Sequence, residues 1–371
     1  MTREQWIANA WNQGVRKVKN TSLRLGADFP HGSNEGQFQL TGPHYWTAGF
    51  WPGLLWLIYQ DRHDEQLRQL AVSCEEKMDA VLENYERLDH DMGFMWTLTS
   101  VANWYLTRNE RSKSRALKAA SHLAGRFNMK GSFIRAWNHP ERIGWTIIDC
   151  MMNLPLLYWA SQQTGDPRFK HIAEAHATMA AKQFIRADGS AYHVVCFDPE
   201  TGERVGALGG QGYAEESAWS RGSAWAIYGL ALSYRHTGRA DFLAAAERAA
   251  RFFTSHLPAD KVPYWDFRLP SFETAPRDSS AAAIATCGLL ELAAASTGNQ
   301  AVLYKEQACA ILQSLANDYQ GGDTEEAILI GGTGNLPSNQ NINKSLIYGD
   351  YFYLEALSKL QGYPSFWNSS V

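Results

Sequence analysis

One acidic residue in an apolar stretch is the first feature of this sequence that could do chemistry. Asp149 stands in the run Trp145–Leu157, WTIIDCMMNLPLL, whose other members are mostly apolar. Burial disfavours the charged form of a carboxyl group and raises its pKa, as a general acid working near neutral pH requires. Asp149 is therefore a candidate general acid. The alternative is a helix N-cap or a core aspartate paired with arginine or backbone.

A second acidic group lies in the run Leu88–Trp96, LDHDMGFMW, where Asp89 and Asp91 flank His90. Either aspartate could simply cap the helix that follows. Together with Asp149, one of them could instead complete the pair of carboxyl groups that glycoside hydrolases use. Metal ligation by the Asp-His-Asp run is less favoured, because the sequence holds no HxxxH motif. We expect no metal.

Tryptophan is unusually frequent, with 14 among 371 residues. Aromatic clusters fall at junctions between loops and helices, in Tyr45–Gly53, Ala136–Asn138 and Gln211–Trp225. Tryptophan in such places suits a platform for a sugar ring. Plain core packing is the alternative, and it is the favoured interpretation for Trp51 and Trp56.

Arg221 lies between Trp219 and Trp225. A fixed guanidinium is the usual partner of a carboxylate, through two parallel hydrogen bonds. This arrangement predicts that the site binds an acidic sugar, although the chain carries a net charge of −4.

Composition and charge exclude several classes of protein. The net charge of −4 argues against a nucleic-acid partner, which would require a basic face. No run approaches the ~18 apolar residues of a membrane span, and the N-terminal segment resembles an amphipathic helix more than a secretory signal. The five cysteines are scattered without a CxxC motif, which indicates reduced thiols. We expect a cytoplasmic protein without membrane partners, and the choice between monomer and dimer stays open.

The elements that must position these residues are helical, because apolar residues recur at three- and four-residue spacing. The candidate helices lie near residues 3–20, 47–60, 65–86, 92–107, 110–127, 146–163, 167–186, 216–236, 240–256, 279–296, 299–318 and 349–361. Turns beginning Thr164-Gly165, Thr237-Gly238 and Thr297-Gly298 join them in pairs. Six helical hairpins in a ring would form an all-α (α/α)6 barrel, and a solenoid of helix pairs is the alternative. With no linker rich in Pro, Gly or Ser, one domain over residues 1–371 is expected.

Long connections separate these pairs, near residues 21–46, 128–145, 187–215, 257–278 and 319–348. They follow every second helix, so we expect them to gather on one face of the barrel and to build the site there. Strand-like sequence is scarce, and a short hairpin is predicted from Tyr192–Phe197 with its turn at Asp198–Gly202.

Ordered motifs along nearly the whole chain resemble those of the unsaturated glucuronyl hydrolases, glycoside hydrolase family 88. The matching strings are Trp46–Trp51, Leu88–Phe94, Ile147–Cys150, Asn153–Leu157, Ser190–His193, Trp219–Gly229, Tyr264–Phe267, Arg277–Ala281 and Gly349–Glu355. The resemblance implies an (α/α)6 barrel and no metal or organic cofactor. It also implies a small-molecule substrate, an oligosaccharide whose terminal uronic acid has the C4=C5 double bond left by a polysaccharide lyase.

The resemblance implies hydration of that vinyl ether, with Asp149 as acid and then base. Asp91 would be the second carboxylate, which holds sugar hydroxyls and tunes Asp149 by repulsion. The uronate would be held by polar side chains and walled by indoles: His90, His193, Gln211, Arg221, Trp46, Trp137, Trp219 and Trp225.

Two positions invite separate comment. Gly210 stands where some members of the family carry histidine, so one substrate contact could be missing here. Lys344, in the segment 333–345, is a hypothetical contact to a sulfate on the leaving sugar, and a solvated loop lysine is the alternative.

Other functions remain open from the sequence. The nearest is an unsaturated rhamnogalacturonyl hydrolase, which would share the barrel and the chemistry. A sugar 2-epimerase and a non-catalytic barrel that binds uronides are more distant alternatives.

Overall fold

The computed structural model describes residues 2–368, so Met1 and residues 369–371 of the expected domain lie outside the described part. All the predicted helical regions contain helix. The α-helices are α1 Arg3–Leu25, α2 Phe50–Arg62, α3 Glu65–Lys77, α4 Met92–Trp96, α5 Ala102–Thr107, α6 Glu110–Gly125, α7 Leu154–Thr164, α8 Pro167–Gln183, α9 Ser220–Thr237, α10 Ala240–Ser255, α11 Ser279–Ala295, α12 Gly298–Asp318 and α13 Ile347–Leu360. A π-helical turn, Thr97–Val101, joins α4 to α5.

The helices form two concentric rings. The inner ring consists of α2, α4 with α5, α7, α9, α11 and α13, and the outer ring of α1, α3, α6, α8, α10 and α12. Inner helices such as α9 and α11 are apolar and buried on nearly all sides, whereas α6 and α10 bury one face only. Because α13 packs against α2, the inner ring closes. The prediction of an (α/α)6 barrel is confirmed, and the open solenoid is excluded.

The two ends of the barrel differ in their connections. At one end, short turns link inner to outer helices through residues with left-handed backbone, among them His63, Arg108, Gly165 and Gly238. At the other end, the long connections interlock. The amide of Ser33 donates to the Ser345 carbonyl over 2.9 Å, for example. The long loops therefore gather on one face, as predicted.

Short strands line this loop face: β1 Phe29–Asn34, β2 Gln37–Thr41, β3 Phe127–Asn128, β4 Phe133–Ile134, β5 Trp145–Ile147, β6 Val194–Phe197 and β7 Arg204–Leu208. The strands β5, β6 and β7 form one antiparallel sheet, and β6 and β7 are the predicted hairpin.

The predicted helix over 146–163 is wrong in its first part. Trp145–Ile147 forms β5, a 3₁₀ turn covers Ile148–Met152, and α7 starts at Leu154. Pairing of β5 with β6 holds the chain extended, and Pro155 in the first turn of α7 suits a helix start. Asp149 consequently lies on the 3₁₀ turn at the mouth of an inner helix.

Two other boundaries move for local reasons. The helix predicted over 65–86 ends at Lys77, and two 3₁₀ turns follow, Asp79–Val81 and Tyr85–Arg87, the second of them capped by the Asn84 side chain. The helix predicted from residue 216 begins at Ser220, because Trp219 pairs as an isolated bridge with Asp266. Within residues 2–368, no helix is both long and apolar enough to cross a membrane.

Candidate active site

Asp149 lies at the loop face beside Asp91, His193 and Trp225, and this small group of side chains forms the recess. Only 9% of the surface of Asp149 is exposed, and the indole of Trp225 lies beside its carboxyl group. The Asp149 side chain caps neither the 3₁₀ turn nor α7. In the described part of the chain, Asp149 Oδ1 has no hydrogen-bond partner. The alternative of an N-cap is therefore excluded, and the carboxyl group remains available to a ligand.

Asp91 faces the same recess from the start of α4, also with 9% of its surface exposed. It does not cap α4 with its side chain; its own amide instead donates to Asp89 Oδ1 over 2.9 Å. Both carboxyl groups are therefore nearly, but not completely, removed from bulk water.

Asn153 joins the segments that carry the two carboxyl groups. Its Oδ1 accepts from the amide of Phe94 over 2.8 Å, so its Nδ2 is turned toward Asp91 Oδ1, 3.4 Å away. The approach depends on Gly93, where a Cβ atom would lie 2.2 Å from the Asn153 Cα. A second bridge runs through Ala136, whose carbonyl accepts from the amide of His90.

Burial and mutual charge set the protonation of this pair. Burial raises the pKa of Asp149 to about 7, against the opposing effect of the Arg221 guanidinium. Burial raises the pKa of Asp91 well above its usual range, and the charges of Asp89 and Asp149 raise it further. Repulsion thus acts mainly on Asp91, whereas we expected it to tune Asp149. Near neutral pH, Asp149 is the group poised to exchange a proton.

His193 presents an imidazole edge to Asp149. Its Nδ1 accepts from the amide of Gln211 over 2.8 Å, so the proton of the neutral ring lies on Nε2, 3.6 Å from Asp149 Oδ1. Burial lowers the pKa of His193 to about 3. Gly210 has φ +58°, and a Cβ there would lie 2.0 Å from the His193 Nδ1. A histidine at position 210 would collide with His193 in this loop conformation.

His90 lies behind Asp91. The residue is fully buried, its Nε2 is 3.5 Å from Asp91 Oδ1, and burial lowers the pKa of its ring well below the usual range. Its ring stands edge-on to Trp137. The resemblance implies that His90 holds the uronate. In the structure, the His90 side chain lies against the Asp91 carboxyl group.

Arg221 is also nearly fully buried. Its two terminal nitrogens donate to four protein oxygens, on Asp278, Thr333, Gln211 and Gly334. The guanidinium influences Asp149 through its charge. With both terminal nitrogens committed to the protein, only Nε is left to bind a substrate carboxylate.

The tryptophans divide into two groups. Trp46 and Trp137 are half-buried, so each offers ring surface to a ligand. Trp225 is fully buried against Phe94 and Phe352, and Trp219 is almost fully buried against the His193 ring. Trp46 and Trp137 are therefore the better candidates for sugar platforms, and Trp225 forms the apolar wall around Asp149.

Lys344 lies at the rim, where its Nζ donates to Asn34 Oδ1 over 3.3 Å. No cluster of three or more His, Cys, Asp or Glu side chains that could hold a metal occurs in residues 2–368.

Sequence reasoning missed three residues of the site: Asn153, Asp278 and Tyr348. Asn153 and Asp278 stand in the quoted motifs, and their polar type among apolar neighbours was the available signal. Tyr348 is fully buried, and its ring lies 4.9 Å from the Trp46 ring and 5.3 Å from the Arg221 guanidinium.

The arrangement is suited to general acid–base chemistry on a small polar ligand. It combines one carboxyl group whose pKa is raised to about 7, a second whose pKa is also raised, a neutral imidazole N–H and half-exposed indoles.

This chain is similar to known glycoside hydrolases. The model of Glycosyl Hydrolase Family 88 matches residues 21–325. The chain is 39% identical to the unsaturated glucuronyl hydrolase of Bacillus sp. (strain GL1), covering 98% of both chains. It is 36% identical to the unsaturated chondroitin disaccharide hydrolase of Streptococcus pyogenes serotype M1, covering 95% of this chain and 90% of that one.

A solved structure matches with a TM-score of 0.87 and 30% identity, covering 99% of this chain and 94% of the other. It is an aspartate-to-asparagine variant of unsaturated glucuronyl hydrolase from Streptococcus agalactiae, complexed with dGlcA-GalNAc6S.

Proposed function

This chain belongs to glycosyl hydrolase family 88, and on that premise we propose that it releases the terminal Δ4,5-unsaturated uronic acid from lyase-generated oligosaccharides. Disaccharides of glycosaminoglycan type are the favoured substrates, since the relatives' names include a chondroitin disaccharide hydrolase and one relative holds dGlcA-GalNAc6S. The single observation that carries the proposal is the buried Asp149, whose pKa is raised to about 7 beside Asp91.

The reaction begins with a proton. Asp149 donates it to C4 of the C4=C5 vinyl ether, which leaves the positive charge shared by C5 and the ring oxygen. Water adds at C5, and the Asp149 carboxylate takes up the proton that the water releases. The hemiketal opens to a ketone at C5, and the hemiacetal thus formed at C1 expels the remaining sugar. One water is consumed, and Asp149 ends protonated as it began.

The other site residues hold and orient the sugar. The Asp91 carboxyl group forms hydrogen bonds with sugar hydroxyls. Arg221 donates to the side-chain oxygen of Gln211, so the side-chain nitrogen Nε2 of Gln211 faces away from Arg221. Trp46 and Trp137 stack against sugar rings.

Ultraviolet absorbance tests this proposal, because hydration destroys the conjugation between the double bond and the carboxylate. Wild-type protein should remove the absorbance of unsaturated disaccharides steadily. Asp149→Asn should lower the rate ~10²–10⁴-fold, the usual contribution of a general acid. The matched control is Asp166→Asn, which changes an aspartate that caps α8 at the opposite end, and its rate should equal that of wild type.

Each alternative predicts a different result. Full activity of Asp149→Asn would refute the mechanism and fit an epimerase. Binding of uronides without loss of absorbance would indicate a non-catalytic barrel. A panel that includes rhamnogalacturonan fragments separates the unsaturated rhamnogalacturonyl hydrolase, because that enzyme would prefer those fragments.

The setting of the enzyme belongs to the same proposal. We propose a cytoplasmic enzyme with one catalytic domain over residues 1–371. All five cysteines are buried and free, which suits a reducing compartment.

A further inference from the structure

Asp278 is a residue of the loop face that has no role in the proposed mechanism. It is fully buried, and its Oδ2 accepts from Arg221 Nη1 over 2.5 Å. Its Oδ1 accepts from the amides of Ser280 and Ala281 at the start of α11 and from the Ser280 hydroxyl. Asp278 thus combines a helix cap with a buried ion pair.

Arg221 connects this ion pair to the loops of the recess. Its guanidinium lies 4.5 Å from the centre of the Trp219 ring and 5.3 Å from the centre of the Tyr348 ring. Nη1 also donates to the Thr333 carbonyl over 2.6 Å, and Nη2 donates to Gln211 Oε1 over 2.9 Å. With Asp278 as its counter-charge, the guanidinium fixes the position of Gln211.

Gln211 continues the connection toward the reacting group. Its amide N–H can only donate, and it donates to His193 Nδ1 over 2.8 Å. The proton of the His193 ring is then on Nε2, which faces Asp149 Oδ1. Donors and acceptors therefore run in one direction from Arg221 to Asp149, and Asp278 accepts from Arg221 at the other end.

We propose that Asp278 is a positioning residue, which through Arg221 and Gln211 holds the His193 N–H against the Asp149 carboxyl group. Its effect on catalysis rests on the proposed function, but the effect on the His193 tautomer does not.

The charges around Asp149 give the direction of the effect on activity. The groups that face it are the Arg221 guanidinium, the neutral His193 ring, the Asp91 carboxyl group and, farther away, the Tyr348 hydroxyl. Asp278→Asn keeps the cap, because asparagine is as good an N-cap as aspartate, but it removes the counter-charge of Arg221. The field at Asp149 then becomes more positive, which favours the carboxylate and lowers its pKa. Partial loss of the His193 N–H, 3.6 Å from the carboxyl group, acts in the opposite direction but removes only a weak interaction.

The kinetic test compares pH profiles. In Asp278→Asn, the basic limb of kcat/KM should move to lower pH by about half a unit to one unit, since the charge acts across Arg221. The control is Asp266→Asn, which changes another fully buried carboxylate of the loop face. Asp266 accepts from the amides of Tyr213, Ala218 and Arg268 and contacts no cation. The control should lower the rate without moving the limb. An unmoved limb in Asp278→Asn would reduce Asp278 to a structural role and overturn the proposal.

A second readout needs no substrate. Nitrogen NMR of ¹⁵N-histidine-labelled protein distinguishes protonated from unprotonated ring nitrogens, and His193→Gln assigns the signals. Wild-type protein should show Nδ1 unprotonated and Nε2 protonated, and Asp278→Asn should show a mixture of tautomers. Should Asp278→Asn fail to fold, Arg221→Lys keeps the charge but cannot reach all four oxygens, and it should give the same mixture.

Two NMR results would overturn the proposal. One is a wild-type His193 protonated on Nδ1, which would then donate to the nearby Gly209 carbonyl. The other is an unchanged tautomer in the variants. The expected tautomers in a protein inactive on every unsaturated uronide would refute the proposed function alone.

Discussion

Replacing Asp149 by asparagine should make the protein more stable at neutral and alkaline pH while it lowers the rate ~10²–10⁴-fold. Burial raises the pKa of Asp149 from 3.8 to about 7. In the unfolded chain the group ionises near its ordinary value, so between about pH 4 and pH 7 the folded state binds the extra proton. The free energy of unfolding therefore falls as the pH rises through this window, and above pH 7 the full cost of ionising a buried carboxyl group remains.

The size of the effect follows from the shift. Each unit of pKa corresponds to 1.36 kcal/mol, so a shift of about three units gives a ceiling of about 4 kcal/mol. Relaxation around the charge reduces this, and about 1–3 kcal/mol is expected. Asparagine carries no charge at any pH. The stability difference, Asp149→Asn minus wild type, should accordingly grow from pH 5.5 to pH 7.5 and then become constant.

Urea unfolding without ligand at a series of pH values measures this difference, provided that the m-value stays the same. The control is Asp241→Asn on α10. The Arg239 side chain bonds Asp241 and lowers its pKa, so its contribution is already complete at pH 5.5. The Asp241→Asn difference should therefore be flat from pH 5.5 to pH 8.5. If the stability difference between Asp149→Asn and wild type is flat or negative from pH 5.5 to pH 8.5, burial does not raise the pKa of Asp149 as inferred.

Three other substitutions test separate parts of the site. Gly210→Ala should lower kcat/KM at least tenfold and also lower Tm, because left-handed backbone costs about 1–3 kcal/mol and the new Cβ displaces His193; steady-state kinetics and thermal unfolding measure both. Lys344→Ala should lower the ratio of kcat/KM for sulfated over unsulfated disaccharides about fivefold, as for a loss of ~1 kcal/mol; an unchanged ratio would leave Lys344 a solvated loop residue. Trp137→Ala should raise KM about tenfold with little change in kcat, because its half-exposed ring stacks without touching the reacting atoms, whereas Trp225→Ala should chiefly lower Tm. Equal effects of the two tryptophan substitutions on KM would contradict this division.

Local pattern was sufficient to predict much of the barrel. The apolar period of α9 and the glycine turn after it depend on neighbouring residues, and both are found where they are predicted. The start of α7 could not be placed in the same way. It depends on pairing of Trp145 with Cys196, far along the chain, and this pairing overrides the apolar run that resembles helix.

The residues of the candidate site also differ in whether the local sequence reveals them. Asp149 and Asp91 could be predicted, because a carboxyl group in an apolar segment is visible in the sequence itself. The partners of Arg221 could not, since it bonds Asp278 and the carbonyl of Thr333, 57 and 112 residues away. Its charge predicted a contact to substrate, and only the three-dimensional arrangement shows its terminal nitrogens committed to the protein.

That commitment raises the question of how a chain with net charge −4 can attract an acidic sugar. All the inner helices start at the loop face, so their positive dipole ends converge on the recess. Side-chain caps are missing at the starts of α2, α4, α7, α9 and α13, whereas Asp64, Asn109 and Asp166 cap the outer helices α3, α6 and α8 at the opposite end.

The contrast is not complete, since Asp278 caps the inner α11, and the outer α10 and α12 have no side-chain cap. The positive ends of the inner helix dipoles nevertheless point to the loop face, and their field favours an anionic ligand there. The same field favours ionised Asp149, yet its pKa is raised, so burial in the Trp225-walled recess must outweigh both the helix ends and Arg221. The site can attract a uronate and still keep Asp149 protonated only because burial raises the pKa of Asp149 more than the helix ends and Arg221 lower it.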